Sequence, residues 1–445
     1  MRWGKLAAVA VVGTAVSLLP AATMLGAGGD LDPSFDGDGK TIVNLASANA
    51  VGVAPDGKLV LVYGESSSFA AVRLNADGSL DTSFDGDGKA VVDVTGGYDE
   101  AIAVDFTADG KIVIAGNANV NFGVVRLNAD GSLDTTFDAD GRAVVDLGGF
   151  ELVGGVAVDA AGRVVVGGYS DFGGGLSDFG IVRLTAAGAL DVTFDGDGIA
   201  RTDVAGSRDD VFDLVLQPDG KIVAAGPVIV GGNFDFGFVR YLADGSLDTS
   251  FSGDGKATVD FGAGDTLWGV DVDSAGRIVG GGYSGACCTN DFVAARLLAD
   301  GTPDVSFSGD GMTEPVDLGG NDLGSDALVD ADDRVVVVGS TESASGDFDY
   351  GIVRFAADGT RDASFGTNGV VPSPFAGGFG RAFGVALQAD GKLVVAGAAA
   401  EGPDDGAGVA RLLSDDANTA PAASFTVTPA SGTTATSFSF DGSAS

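Results

Sequence analysis

Short apolar runs broken by Gly and Asp turns follow one another along almost the whole chain, and one repeat shows the pattern plainly. Ala101 to Phe106 alternates apolar side chains, TADG turns the chain, and Lys111 to Gly116 (KIVIAG) is β-branched and apolar. A variable loop leads to Phe122 to Leu127 (FGVVRL), NADG turns again, LDTTF passes, and Arg142 to Leu147 (RAVVDL) supplies a fourth run. Alternation bounded by turn residues predicts strands, and helical periodicity occurs nowhere. Each unit therefore predicts four short antiparallel strands, which repeated radially are the blades of a β-propeller.

The period is set by a motif, Leu-Asp-x-Ser/Thr-Phe-x-x-x-Gly, first seen as LDPSFDGDG at Leu31. Its phenylalanines are Phe35, Phe84, Phe137, Phe194, Phe251, Phe307 and Phe365, standing 49 to 58 residues apart. The tight hairpin after the first strand (PDGK, ADGK, AAGR, PDGK, SAGR, ADDR, ADGK) also occurs seven times, so seven blades are predicted. The last repeat reaches GVARLL at Gly408 to Leu413 without the motif, whereas the chain begins with the motif and a strand, KTIVNL. The N-terminal strand is thus expected to complete the last blade and close the ring, removing its open edges. A parallel β-helix competes, but its turns are shorter than these units and would not need a piece missing at one end to be present at the other. Which strand lines the channel is left open.

The charge balance narrows the partners. Among 445 residues, 24 Lys and Arg stand against 63 Asp and Glu, a net charge of −39 with a pI near 4.1. Such acidity repels nucleic acid and anionic lipid. With no histidine in the chain, triads built on histidine and HExxH metal sites are excluded. The two cysteines, Cys287 and Cys288, are adjacent and cannot staple distant segments. Arg2 and Lys5 precede an apolar run from Leu6 to Leu19 that Pro20 ends, the layout of a secretory signal peptide over residues 1–29. The expectation is a monomeric protein, secreted or held at the cell surface, with no membrane span once the signal is removed.

Several residues recur at fixed positions. Third-strand arginines precede motif aspartates by eight residues: Arg73 with Asp81, Arg126 with Asp134, Arg183 with Asp191, Arg240 with Asp248, Arg296 with Asp304 and Arg354 with Asp362. Arg411 finds only Asp32, across the proposed closure. A guanidinium can bond a carboxylate twice, so one structural pair per blade is expected, with the motif phenylalanines as core plugs between blades.

The DGDG turns resemble the start of a calcium loop, but the glutamate at the twelfth position is missing and the first acid gives way to Ser252, Ser308 and Gly366. No cofactor is expected beyond possible Ca2+. Ahead of each first strand, Asp99, Glu151, Asp209, Asp265 and Asp322 share one position, which Gly380 and Ala46 occupy elsewhere. If the first strand is innermost, these acids would ring one channel mouth and could bind a cation. Phe212, Trp268 and Phe383 share a neighbouring position and are ligand candidates.

The repeats resemble the delta-60 repeat family of bacterial β-propellers over residues 31 to about 413, all seven copies keeping the motif's Asp and Phe. Pro303 and Arg361 replace the leading Leu, a departure that bears on local strand pairing and not on the fold. The resemblance implies an exported protein and carries no activity or site residues with it. After a linker at 414–421, residues 422–445 resemble the opening strands of a PKD-type immunoglobulin-like domain, too few to close a sandwich. Such modules are spacers on secreted proteins. The sequence therefore points to an all-β, seven-bladed propeller over 30–413 acting as an extracellular binding or structural protein without catalysis, its partner an extracellular protein or polysaccharide. The rival reading is a carbohydrate-active enzyme, glycoside hydrolase or lyase, using channel-mouth carboxylates.

Overall fold

The computed structural model describes residues 27–171, 176–286, 289–343, 345–375, 379–401 and 404–415. The predicted signal up to residue 26, Cys287 and Cys288, and the PKD-like segment lie outside the described residues. Seven antiparallel sheets form, and each consists of consecutive strands except the last. That sheet takes three strands from the C-terminal repeat, and its outer strand is Lys40–Val43, paired antiparallel with Asp404–Leu412 in the register Lys40↔Ala410 to Val43↔Ala407. The ring closes as the two ends of the repeat array predict.

Counting from the N-terminus, the first strands of blades 1 to 7 are Ala50–Val53, Asp99–Phe106, Phe150–Val158, Asp213–Leu216, Gly264–Val272, Asp322–Val329 and Gly380–Leu387. All seven line one central cavity, so the first strand is the innermost. Blade 5 departs from the four-strand rule: its sheet has three strands, and the outer strand survives as the isolated bridges Ala295↔Met312 and Phe292↔Val316. Between those bridges the chain carries one residue more than its neighbours and includes Pro315, which cannot donate to the ladder. The departures at Pro303 and Arg361 leave pairing intact, since Leu297↔Pro303 and Phe355↔Arg361 form the same bridge as Leu74↔Leu80.

The apolar core is a set of seams, each shared by two blades. Val60, Val62 and Phe69 of blade 1, for example, pack with Ile112, Ile114 and Leu127 of blade 2 around Phe84. All seven motif phenylalanines are fully buried. Because a blade has no core of its own, each depends on its neighbours for burial.

The Arg-Asp pairs form in every blade, through Nε and one carboxylate oxygen at 2.6 to 2.8 Å. They differ from the two-pronged contact expected, because the second oxygen is already taken by the motif's Ser or Thr. Asp134 Oδ1, for instance, accepts the Thr136 amide at 3.1 Å and its hydroxyl at 2.6 Å. This explains the Ser/Thr of the motif. The free end of the guanidinium reaches the next blade: Arg126 Nη1 donates to Ala186 O at 2.7 Å and Arg296 Nη1 to Ala357 O at 2.7 Å. Arg411 makes the same link across the closure, to Ala76 O. Each guanidinium also lies over its own motif ring, 4.2 to 4.9 Å from the centroid.

The DGDG turns meet a backbone demand. Asp36, Asp85, Asp138, Asp195, Ser252 and Ser308 take left-handed φ of 44° to 54°. In that conformation the amide of the same residue donates to the hairpin of the next blade, as from Asp85 to Asp130 O at 2.7 Å. Among the described residues, the carboxylate groups close enough to share a cation lie elsewhere.

Candidate functional site

The central cavity has a volume of about 1010 Å³ and takes Phe212, Trp268, Phe383, Tyr169, Tyr283 and Arg381 into its lining. The three aromatic residues singled out in the sequence thus come together. They do so because the inner strands carry a β-bulge at their shared position: register shifts between Leu267 and Gly269 and between Ala382 and Gly384 make Trp268 and Phe383 the extra residues. A bulge re-aims a side chain that the pleat would otherwise turn into the sheet. The rings of Phe212 and Trp268 lie 4.3 Å apart, tilted by 35°, and Trp268 remains 38% exposed. Arg381 stacks on Phe348 at 4.1 Å, and its buried Nε has no hydrogen-bond partner among the described residues. Sequence reading missed Tyr169, Tyr283 and Arg381: the tyrosines share one second-strand position, six residues after Arg163 and Arg277, a signal that could have found them, whereas Arg381 occurs at its position in one blade alone.

The five acids ahead of the first strands sit elsewhere. Asp99, Glu151, Asp209, Asp265 and Asp322 are all buried, at most 1% exposed, and none is in the cavity wall. Each binds backbone amides of the segment just before it. Asp99 Oδ2 accepts from Val94 and Thr95 at 2.8 and 2.9 Å, Glu151 Oε1 from Leu147 and Gly149 at 2.9 Å, and Asp209 Oδ2 from Val204 and Ala205 at 2.7 and 3.0 Å. Asp265 and Asp322 do the same with Phe261 and Leu318 at 2.7 and 2.6 Å. They clamp the passage from one blade to the next. Burial pushes the carboxyls of Glu151, Asp209, Asp265 and Asp322 above the ordinary range.

A different set of carboxylates faces the cavity: Asp105, Asp213, Asp271 and Asp326, all on first strands. Each reaches sideways to an amide of the next inner strand, Val158, Val270, Val329 and Val385 in turn, at 2.7 to 2.9 Å. The other oxygen of each accepts the following amide of its own strand at 2.7 Å. Glycine on the preceding inner strand makes room for two of these carboxylates, because a Cβ at Gly155 would stand 2.9 Å from Asp213 Oδ1 and one at Gly269 2.8 Å from Asp326 Oδ1. With both oxygens engaged, these acids tie inner strands together. An aspartate interrupting an apolar first strand was the available signal.

Burial raises all four of these carboxyls, and Asp326 is pushed up to about 7 from 3.8. A carboxyl whose folded pKa is raised lets the unfolded chain ionise first. Stability is therefore lost as pH climbs from about 4 to about 7. The Arg-paired aspartates Asp81, Asp134, Asp191, Asp248, Asp304 and Asp362 have lowered values and work the other way, withdrawing stability as pH falls below about 4. The expected profile has maximal Tm near pH 4 to 5 and a decline towards pH about 7.5, which Asp326→Asn flattens. A Tm that rises between pH 5 and 7.5, or an unchanged slope in the variant, contradicts the assignment.

Seven segments match the domain of unknown function (DUF5122) beta-propeller family, at residues 54–84, 107–137, 162–194, 217–251, 276–307, 331–365 and 388–417. No curated protein matches. Among solved structures, virginiamycin B lyase from Staphylococcus aureus superposes with a TM-score of 0.50 at 11% identity, over 84% of this chain and 99% of that one. A gluconolactonase from Xanthomonas campestris, at 16% identity, covers 84% of this chain and 100% of its own with a TM-score of 0.38. A Dyadobacter fermentans protein of unknown function gives 0.43 at 12% identity, over 84% and 97%. At 11% identity the likeness to the lyase speaks for the propeller fold alone.

Proposed function

The chain belongs to the DUF5122 beta-propeller family, and on that premise we propose that it is an exported binding protein whose central cavity takes a saccharide chain or chain end. The observation that carries this reading is the paired Phe212 and Trp268, half open above a cavity of about 1010 Å³. Sugar rings stack on such aromatic faces, and a few convergent polar groups fix their orientation. Arg381 in the cavity wall supplies one such group, and its guanidinium favours sugars carrying a carboxylate. Export is supported by the predicted signal, and an adhesion-type role by the PKD-like segment that follows the propeller.

Without the predicted leader, Trp268 is the only tryptophan, so its fluorescence reports directly on the mouth. Titration with neutral and uronate-containing oligosaccharides should change the emission saturably, and Trp268→Ala should weaken binding, followed by calorimetry, about tenfold or more. Absence of binding across the panel defeats the proposal. New reducing ends or unsaturated products during the titration would replace it with the carbohydrate-active enzyme.

A further inference from the structure

Three successive junctions between blades each gather three carboxylates: Asp178, Asp203 and Asp209; Asp235, Asp260 and Asp265; Asp291, Asp317 and Asp322. Within each group, one oxygen from every residue lies within 4.8 Å of the others. The same repeat positions supply all three groups. One acid precedes the phenylalanine of the third strand, one ends the fourth-strand run, and one is the buried clamp ahead of the next inner strand. Elsewhere the set is broken, by Ser68 and Asn121 at the first position and by Gly380 and Ala46 at the third.

Acidic clusters are common on surfaces, but here the buried member holds an oxygen with nothing to bind. Asp209 is fully buried; its Oδ2 takes two backbone amides, and its Oδ1 has no hydrogen-bond partner among the described residues. The groups whose charge bears on that carboxyl are Asp203 and Asp178, the other two members. Asp265 Oδ1 and Asp322 Oδ1 are likewise buried without a hydrogen bond of ordinary geometry, although the hydroxyls of Ser284 and Thr341 lie near enough to ease their ionisation. Asp235 is 5% exposed and faces Asp260 and Asp265, which with burial push its carboxyl up to about 6. The nearby Lys256 ammonium binds the backbone carbonyl of Asp203, at 2.6 Å, and the Asp203 carboxylate accepts only the Gly206 amide among the bonds it makes in the described residues. A buried carboxylate oxygen without a donor is costly, so Asp209 Oδ1, with the same triad repeated at two further junctions, calls for a ligand.

We propose that each triad is a calcium site, in which one Ca2+ bridges the third strand of one blade, the segment leaving its fourth strand and the entry to the next blade. Hard oxygen donors suit this cation, and three carboxylates leave room for water and backbone carbonyls in its shell of six to eight. The middle acids Asp203, Asp260 and Asp317 are exposed, so the ion exchanges with solvent. The expected dissociation constants are those of extracellular modules, about 10⁻⁴ to 10⁻³ M. These sites hold blades 3 to 6 together and are separate from the saccharide cavity, so they stand whether or not that reading does.

Calorimetric titration of the chelator-treated full chain with CaCl2 should show three equivalents per chain, and Tm should rise by several degrees in about 10 mM CaCl2. The exposed members offer variants that keep the fold: Asp203→Asn, Asp260→Asn and Asp317→Asn should each remove about one equivalent, and the triple variant should lose the Tm response. Calcium-free Asp235→Asn should be at least as stable as the parent, because it relieves repulsion, while still losing its own equivalent. An absence of saturable heat, a triple variant that keeps its stoichiometry, or an equal Tm rise in MgCl2 overturns the proposal.

Discussion

Alanine at Arg126 or at Asp134 is expected to lower unfolding free energy by about 3–5 kcal/mol, a large part of the stability of any domain. Both residues are buried, 5% and 3% exposed, and they bond at 2.6 Å. Removing one leaves the other charged and desolvated, which is why breaking a buried pair costs more than the pair itself contributes. The two variants should not be equal. Asp134 retains Lys111, at 2.7 Å from Oδ2, when Arg126 is lost, whereas Arg126 loses the one carboxylate that it bonds among the described residues when Asp134 is lost. Asp134→Ala should therefore fall at the upper end of the range. Arg126→Ala has a second consequence, loss of the bond to Ala186 O in the next blade and of the stack on Phe137 at 4.6 Å. Urea unfolding measures both, and losses below about 0.5 kcal/mol in the two variants would show that the ring of arginines is incidental. Replacing the pair with Met and Leu should cost less than the two alanine changes summed, since neither charge is then stranded.

The sheets were legible in the sequence because turn chemistry and period-two alternation are local signals repeated seven times, each copy correcting the ambiguity of the others. Closure was legible because a strand missing at one end stood at the other. The Arg-Asp pairs came from a fixed spacing, yet their single-pronged geometry did not, because Ser and Thr of the motif compete for the second oxygen and that competition is invisible in spacing alone. The site was read less completely. Phe212, Trp268 and Phe383 share a column and could be found, whereas the bulge that turns Trp268 and Phe383 inward depends on hydrogen-bond register. Tyr169 and Tyr283 also share a column, six residues after Arg163 and Arg277, and the same alignment could have found them, whereas Arg381 stands at a position that does not repeat. The aligned acids illustrate the opposite error of inference: recurrence ahead of the first strand suggested a channel mouth, and the side chains turn inward to cap amides that would otherwise be buried without partners. Asp178 and Asp203, which gather beside Asp209, come from two other strand ends that only the antiparallel pairing of the blade brings together.

Removing residues 1–45 should leave a chain that does not fold cooperatively, the largest effect expected of any change outside the core. The segment carries the outer strand of blade 7, the fully buried Phe35 and the Asp32 partner of Arg411. Phe35 packs in the seam between blades 7 and 1, with Val394, Val409, Leu59 and Leu61. Its burial is worth about 1.5–3 kcal/mol, and a stranded Arg411 costs about 3–5 more. The ring would also open at the only junction that no continuous chain spans, exposing the edge of Asp404–Leu412. Blade 5 shows that an irregular outer strand is not fatal by itself: its fourth strand is reduced to two bridges while the chain on either side holds the junction together. What the N-terminal segment provides is closure. A synthetic peptide spanning residues 27–45 should therefore restore a cooperative thermal transition to the truncated chain, with a midpoint that rises with peptide concentration. A truncated chain that melts like the parent without the peptide would mean that the seven blades hold their circle without the strand that joins their ends.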